Sequence, residues 1–408
     1  MTHRLPHAGQ APTDRDRRIP SLDGLRAVSI IIVVLSHAAV TNGFPRVIHA
    51  GLKVADLGNL GVRVFFVISG FLITGLLLRE KERRSRISLS HFYFRRVFRI
   101  FPAYYAFIAV AVACSLAGWL PPIDGRLLAH AATFTLNYAS HQVWALGHFW
   151  SLSVEEQFYL IWPSLLVMAG PRRAFHAALL FVLLSPALRL ALYLFAPAYH
   201  PYIGAAFETV GDAIAVGCLL ARYRDELWAR EWYRRLLTSR WMALVPLVVL
   251  LASTLDGRPR ISYVIGIPVK NVGIALLVDW AVRFPAGRVG RVLNSRVAVW
   301  IGTMSYSLYV WQQPFLDAHY TASWIRFPLN VIYAFSAAVA SFYLIERPML
   351  RLRGSIETRH GRSARSLAVR PTTSDRSLPE NPPLPTARSR PRSSTPAPGR
   401  GGYGESSS

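Results

Sequence analysis

Long apolar runs alternate with short basic breaks along the chain, and this alternation sets its class before any single residue is weighed. The apolar runs fall over 22–40, 60–78, 99–119, 149–169, 174–195, 204–222, 241–256, 261–282, 297–316 and 326–346. Each comes close to the ~20 residues that an α-helix needs to cross the hydrocarbon core of a bilayer. Their apolar character extends mostly around the whole helix and not along one stripe, which suits helices surrounded by lipid and by one another. The pattern predicts an all-α, polytopic integral membrane helical bundle of about ten transmembrane helices. A further apolar stretch, 127–139, is too short for a full crossing.

The breaks carry the topology. Arginines gather in the short loops 79–98, 171–173, 222–240 and 283–296 and in the tail. With a cytoplasmic N-terminus and a 127–139 stretch that does not cross, all of these lie on the cytoplasmic side. If that stretch crossed, every later basic loop would land outside, against the positive-inside rule. The expectation is therefore a multi-pass protein of the cell (plasma) membrane with both termini cytoplasmic. Residues 1–20 are polar and are expected to form a disordered cytoplasmic N-terminus, with the membrane domain over 21–350. From 351 to 408 the composition turns to Arg, Ser, Pro and Gly, which predicts a disordered basic cytoplasmic tail touching anionic lipid headgroups. The basic residues ahead of the first run resemble a secretory signal. Arg26 and His37 inside that run, and the many runs after it, favour a retained span.

Composition narrows the choice further. The 408 residues carry a formal charge of +24, yet 52% are hydrophobic and only 17% charged, which excludes an ordinary soluble fold. The positive charge sits in loops between spans and not on a soluble face, so no nucleic-acid partner is expected. Cys114 and Cys218 both lie inside apolar runs, with neither disulfide nor zinc spacing. No internal repeat of the sort found in many secondary transporters is visible.

Ionisable groups inside a bilayer are costly, so each is a functional candidate. The first run reads LDGLRAVSIIIVVLSH, with Arg26 near one end and His37 eleven residues on, about 16 Å along a helix. An imidazole titrates near neutrality and suits general-base work. In the second run Gly61, Gly70 and Gly75 favour close helix packing, while Arg63 brings a charge toward the site. The third opens FYFRRVFRIFPAYY. Arg96 and Arg99 share a face there, and with Arg95 they form forks that fit phosphate oxygens, or else they anchor topology. The fourth, HFWSLSVEEQFYLIWP, puts Ser151 and Glu155 four apart, on one face, while Ser153 with Glu156 fits a capping box. Glu155 is expected beside His37, where a carboxylate orients an imidazole. Arg189, Glu208 and Asp212 also fall inside apolar runs, and Glu208 and Asp212, four apart on one face, are read chiefly as balancing the buried arginines, with lining of an acceptor pocket as the alternative.

Taken in order, LDGLRAVSIIIVVLSH, GVRVFFVISGFLI, RRVFRIFPAYY, WSLSVEEQFYLIWP, MSYSLYVWQQP and IERP resemble the membrane acyltransferase-3 family of bacterial O-acyltransferases, over about 21–348. The resemblance implies transfer of an acyl group, acetyl first among them, from acyl-CoA as donor substrate, with no permanently bound cofactor. It implies an acceptor hydroxyl on a carbohydrate, a lipid-linked sugar or a macrolide-type metabolite. The family's Arg–ten residues–His pattern falls on Arg26 and His37, the histidine being its catalytic residue. R-x-x-R falls on Arg96 and Arg99, toward the acyl donor, and S-x-x-x-E on Ser151 and Glu155. Where many members carry His-x-Pro, Gln312 and Gln313 precede Pro314, so no second histidine is expected at that place. No added extracytoplasmic domain follows the last run, which implies a stand-alone acyltransferase core. The expected course has CoA phosphates at Arg95, Arg96 and Arg99, and His37 deprotonating the acceptor with Arg26 or Ser151 steadying the oxyanion. An acyl-histidine intermediate is the mechanistic alternative, and a transporter or flippase of an envelope component is the rival function.

Overall fold

In the computed structural model, residues 19–49, 56–319 and 322–368 are described. Every regular element among them is a helix. The elements that matter below are α1 (Pro20–Ala38), α2 (Leu57–Arg84), α3 (Leu89–Leu116), α4 (Gly125–Ala132), α5 (Phe149–Met168), α6 (Gly170–Phe195), α7 (Asp212–Ala229), α8 (Ile267–Arg283), α9 (Arg296–Thr303), α10 (Ser305–Trp311), α11 (Leu329–Ser341) and α12 (Arg347–Ala368).

Seven helical stretches are long and apolar enough to cross a membrane: Pro20–Ala38, Leu57–Arg84, Leu89–Leu116, Gly170–Phe195, Arg240–Gly257, Pro259–Arg283 and Leu329–Thr358. The other three expected runs are helical but fall outside this set. One is α5, which carries Glu155 and Glu156. The second breaks between Val210 and Asp212, and the third between Thr303 and Ser305. The doubtful stretch 127–139 contains only α4 and a short 3-10 turn, Leu136–Tyr138. At ~1.5 Å per residue the eight residues of α4 cover about 12 Å, well short of a ~30 Å hydrocarbon core. Apolar side chains face outward along α6, where Leu180, Leu183 and Leu184 are 56%, 63% and 61% exposed. Such a face suits acyl chains and not water.

The tail departs from expectation. α12 continues through residue 351 to Ala368, so the first part of the segment expected to lack structure is helical. Composition there favours disorder, but Glu357 lies 3.4 Å from His91 on α3 and 4.0 Å from Arg353 one turn back. These contacts give the extension local support. The disorder expected of residues 1–18 and 369–408 concerns positions outside the described residues.

At the centre, α2 packs against α1 on one side and α7 on another. Small residues allow it. A Cβ on Gly61 would sit 2.8 Å from the Ser29 carbonyl oxygen of α1, and one on Gly70 only 2.0 Å from the Ile214 oxygen of α7. The packing role expected of Gly61 and Gly70 holds, whereas a Cβ on Gly75 would meet only the Arg79 side chain of α2 itself, at 3.4 Å.

Two cations buried elsewhere in the bundle, Arg189 and Lys270, find opposite charges. Fully buried Arg189 meets Asp212 at 2.8 Å, and Asn271 donates to the same carboxylate at 3.1 Å. Arg63 extends this network, 3.4 Å from the Asn271 side-chain oxygen. Its charge is therefore spent on structure, not brought toward the site as the sequence suggested. Lys270 of α8 pairs with Asp256 at 2.5 Å. Glu208, expected to balance an arginine, instead accepts hydrogen bonds from the hydroxyls of Tyr138, at 2.7 Å, and Tyr199.

Candidate active site

Eleven residues at ~100° each bring His37 to within about 20° of the direction of Arg26, three turns away on α1. The structure uses this register. A cavity of about 730 Å³ is lined by Ser36, His37, Trp144, His148, Tyr309 and Gln313 among others. A smaller one, of about 40 Å³, is lined by Arg26, Phe65, Ser151, Glu155, Tyr306 and Tyr309 among others. Val62 and Tyr309 belong to both walls. The two spaces thus follow one face of α1, with His37 on the larger and Arg26 on the smaller.

His37 is half-buried, with its ring edge-on to Trp144 at 5.7 Å between centroids. Fully buried Gln312 lies against the imidazole. This is the glutamine at the position where the resemblance expects histidine. Nδ1 of His37 and the Ser36 hydroxyl have no hydrogen-bond partner among the described residues. An imidazole on a cavity wall is placed to take a proton from a bound hydroxyl.

Ser151 and Glu155 do share a face of α5, as their spacing predicts, and that face borders the smaller cavity. Glu155 is not the partner of His37, however. Its Oε1 accepts a hydrogen bond from Ser69 of α2, and no bond joins it to the imidazole among the described residues. The carboxylate instead lies within electrostatic reach of Arg26, Arg96 and Arg99. The capping box also fails. α5 begins at Phe149, so Ser153 is already interior; its hydroxyl donates to the Phe149 oxygen at 2.9 Å and accepts from the Leu136 amide at 3.2 Å.

The three arginines at the start of α3 separate. Arg95 lies 3.8 Å from Glu80 of α2. Arg96 turns inward, its guanidinium 4.9 Å from the centre of the Tyr159 ring and 5.6 Å from that of Phe92. Arg99 comes within electrostatic reach of both Arg26 and Arg96. Arg96 and Arg99 therefore connect the start of α3 to the smaller cavity, and Arg95 stands aside from them.

Sequence reasoning passed over His148 and Tyr309. His148 stands directly ahead of α5 and is 3% exposed. Its carbonyl oxygen accepts from the Ser151 hydroxyl at 3.2 Å and the Tyr309 hydroxyl at 3.1 Å, and those hydroxyls lie 2.6 Å apart. The available signal was the position itself, a polar residue directly ahead of an apolar run that carries two glutamates.

Comparison with known proteins bears on this arrangement. The sequence model of an acyltransferase domain family matches residues 19–347. The chain is 29% identical to YrhL of Bacillus subtilis (strain 168) over 374 residues, covering 83% of this chain and 56% of that protein. It is 27% identical over 366 residues to the peptidoglycan O-acetyltransferase OatA of Listeria monocytogenes serovar 1/2a, covering 81% and 56%. The O-acetyltransferase OatA of Staphylococcus aureus (strain NCTC 8325) is 26% identical over 364 residues, at 82% and 57%. The chain thus spans little more than half the length of these relatives. No solved structure matches it. With the family match covering nearly all of the helical bundle, and seven helices long and apolar enough to cross a membrane, the chain belongs to the membrane acyltransferase-3 family.

Proposed function

We propose that this protein transfers an acetyl group from acetyl-CoA to a hydroxyl of a cell-envelope carbohydrate. The observation that carries the reading is His37, whose ring lines the larger cavity. The names of the relatives point to peptidoglycan as the kind of acceptor. Both ends of the chain are read as cytoplasmic, with ten crossings, because that arrangement keeps the arginine-rich loops on one side.

In this reading the donor enters from the start of α3, where Arg96 and Arg99 attract its phosphates. Its thin pantetheine arm passes along the face of α1 by way of the smaller cavity, which widens to admit it. The carbohydrate occupies the larger cavity. The His37 ring removes the hydroxyl proton as the oxygen attacks the thioester carbonyl. The carbon–sulfur bond then breaks, and the departing CoA thiolate recovers the proton from His37, so the ester and free CoA leave with the ring restored. Arg26, three turns from His37, supplies positive charge along the donor's path, and Glu155 holds that arginine cluster together. Ser151 lines the smaller cavity and is hydrogen-bonded to Tyr309, which lines both.

The test is incorporation of label from radiolabelled acetyl-CoA into peptidoglycan fragments by membranes containing wild type or His37→Ala. Alkali-labile label that requires His37 is the expected result. Uptake of an envelope component by vesicles with no covalent product would replace this reading with transport.

A further inference from the structure

Asp56 stands directly ahead of α2, where a carboxylate usually accepts from an amide of the first helical turn. It makes no such bond among the described residues. Its backbone sits in the left-handed region, with φ 41° and ψ 50°, and its side chain takes another partner. Asn59, three residues on, donates to Asp56 Oδ2 at 2.7 Å. That bond lies exposed, and both residues line the larger cavity. The carboxylate is thus open to a ligand in that space.

The start of α2 also lies close to His37. A Cβ on Gly58 would stand 3.4 Å from the Ser36 Cβ, so this turn rests against the turn of α1 that carries Ser36 and His37. Both of those residues line the same cavity. Trp144 lines it too, half-buried, edge-on to His37 at 5.7 Å and tied through Nε1 to the Gln313 carbonyl at 3.0 Å. A fixed aromatic wall with a carboxylate and an amide on the same cavity suits a sugar, whose ring offers apolar C–H surface between hydroxyl donors.

We propose that the Asp56 carboxylate binds the acceptor carbohydrate, accepting a hydrogen bond from a second hydroxyl of the sugar while the first is presented to His37. The proposal rests on the acyl-transfer reading and adds a substrate-binding residue to it. Asn59 holds one carboxylate oxygen, so a charged acceptor is already oriented before the sugar arrives. A site built to bond a hydroxyl discriminates against an acceptor that lacks it. The competing role is charge balance, because Asp56 lies within electrostatic reach of Arg63 and Lys270. Those two already have nearer partners, Asn271 at 3.4 Å and Asp256 at 2.5 Å.

The experiment uses the full chain in membranes, acetyl-CoA as donor and purified peptidoglycan fragments as acceptor probe. It compares wild type, His37→Ala, Asp56→Gly and Asp56→Asn. Glycine adopts a left-handed backbone freely and costs little ahead of a helix, so Asp56→Gly removes the carboxylate without loosening the fold. Asparagine tolerates the same backbone and keeps an uncharged oxygen acceptor. For Asp56→Gly the expected result is a fragment KM raised about ten- to a hundredfold, as for a lost charge-assisted bond, with the acetyl-CoA KM within about twofold of wild type. Asp56→Asn falls between the two, and both variants melt with wild type.

A fragment KM for Asp56→Gly within about twofold of wild type would overturn the proposal. A lowered melting temperature with both KM values raised, or failure to fold, would overturn it as well, since balancing Arg63 and Lys270 would then account for the residue. An active wild type that His37→Ala silences, beside an unaffected Asp56→Gly, defeats this inference alone. A wild type that transfers no label defeats the acyl-transfer reading and the inference with it.

Discussion

Two buried polar regions of this bundle invite comparison. In one, Arg189, Asp212 and Asn271 meet each other at 2.8 and 3.1 Å, and Lys270 meets Asp256 at 2.5 Å. Arg189 Nε and Asp212 Oδ1 make no bond among the described residues, yet the two charges still oppose each other. In the other, around the larger cavity, Ser36, His37 and His148 each leave an atom unmatched, and no ion pair joins them among the described residues. Both regions place polar groups where they are expensive. The first returns that cost internally through pairing, which is what structure requires. The second leaves it unmatched among the described residues, beside the larger cavity.

The sharpest way to break this contrast is to remove one group from each side. His37→Ala takes away a group that belongs to no ion pair among the described residues and lies against the neutral side chain of buried Gln312, so it strands no charge. Acyl transfer should fall by about 10²–10⁴-fold, the usual range for a lost acid–base group, while thermal unfolding in detergent stays near wild type. Loss of folded protein in parallel with activity would place His37 on the structural side. Asp212→Ala does the reverse. It strands the fully buried Arg189, and breaking a buried pair from one side costs about 3–5 kcal/mol. Folded yield should collapse, and the double variant Arg189→Leu with Asp212→Ala should recover much of it. If the single variant folds normally, the network is not what holds α6 to α7.

A smaller effect separates packing from mere presence of a small residue. Gly70→Val drives side-chain atoms into the Ile214 carbonyl of α7, and overpacking of this kind costs about 1–3 kcal/mol. Gly75→Ala meets only the flexible Arg79 side chain, at 3.4 Å, and should be tolerated. Equal melting temperatures for the two variants would show that the α2–α7 contact is looser than the structure has it.

The same contrast explains what was legible in the sequence. Helix positions were, because apolar runs and their period are local. The Arg26–His37 register was, because three turns of one helix fix it. Partners across helices were not. Glu155 was expected to meet His37 and meets Ser69, 86 residues away in sequence, because depth in the bilayer says nothing about which neighbouring helix a side chain faces. His148 passed unnoticed for the same reason, as its ring bond to Val310 spans 162 residues. The runs that fall outside the clearly membrane-spanning set include α5 and the broken α9–α10 segment. These bring Ser151, Glu155 and Tyr309 to the cavities, so the residues that weaken the hydrophobic signal are the ones that build the site.

Tyr309 tests whether the two categories are separable at a single position. It lines both cavities, as a site residue would, yet its hydroxyl is satisfied by Ser151 and the His148 carbonyl, as a structural residue's would be. If satisfaction is the better guide, Tyr309→Phe costs stability first. Hydrogen bonds between membrane helices average about 0.6 kcal/mol and reach about 1.7, so a small drop in melting temperature is expected. Transfer of label from acetyl-CoA should fall less than about tenfold, through a slightly displaced His148 and not through a lost reacting group. A loss beyond about a hundredfold with an unchanged melting temperature would mean that the hydroxyl leaves its partners and meets substrate during the reaction. Hydrogen-bond satisfaction in the resting protein would then be no guide to which side of the comparison a residue belongs.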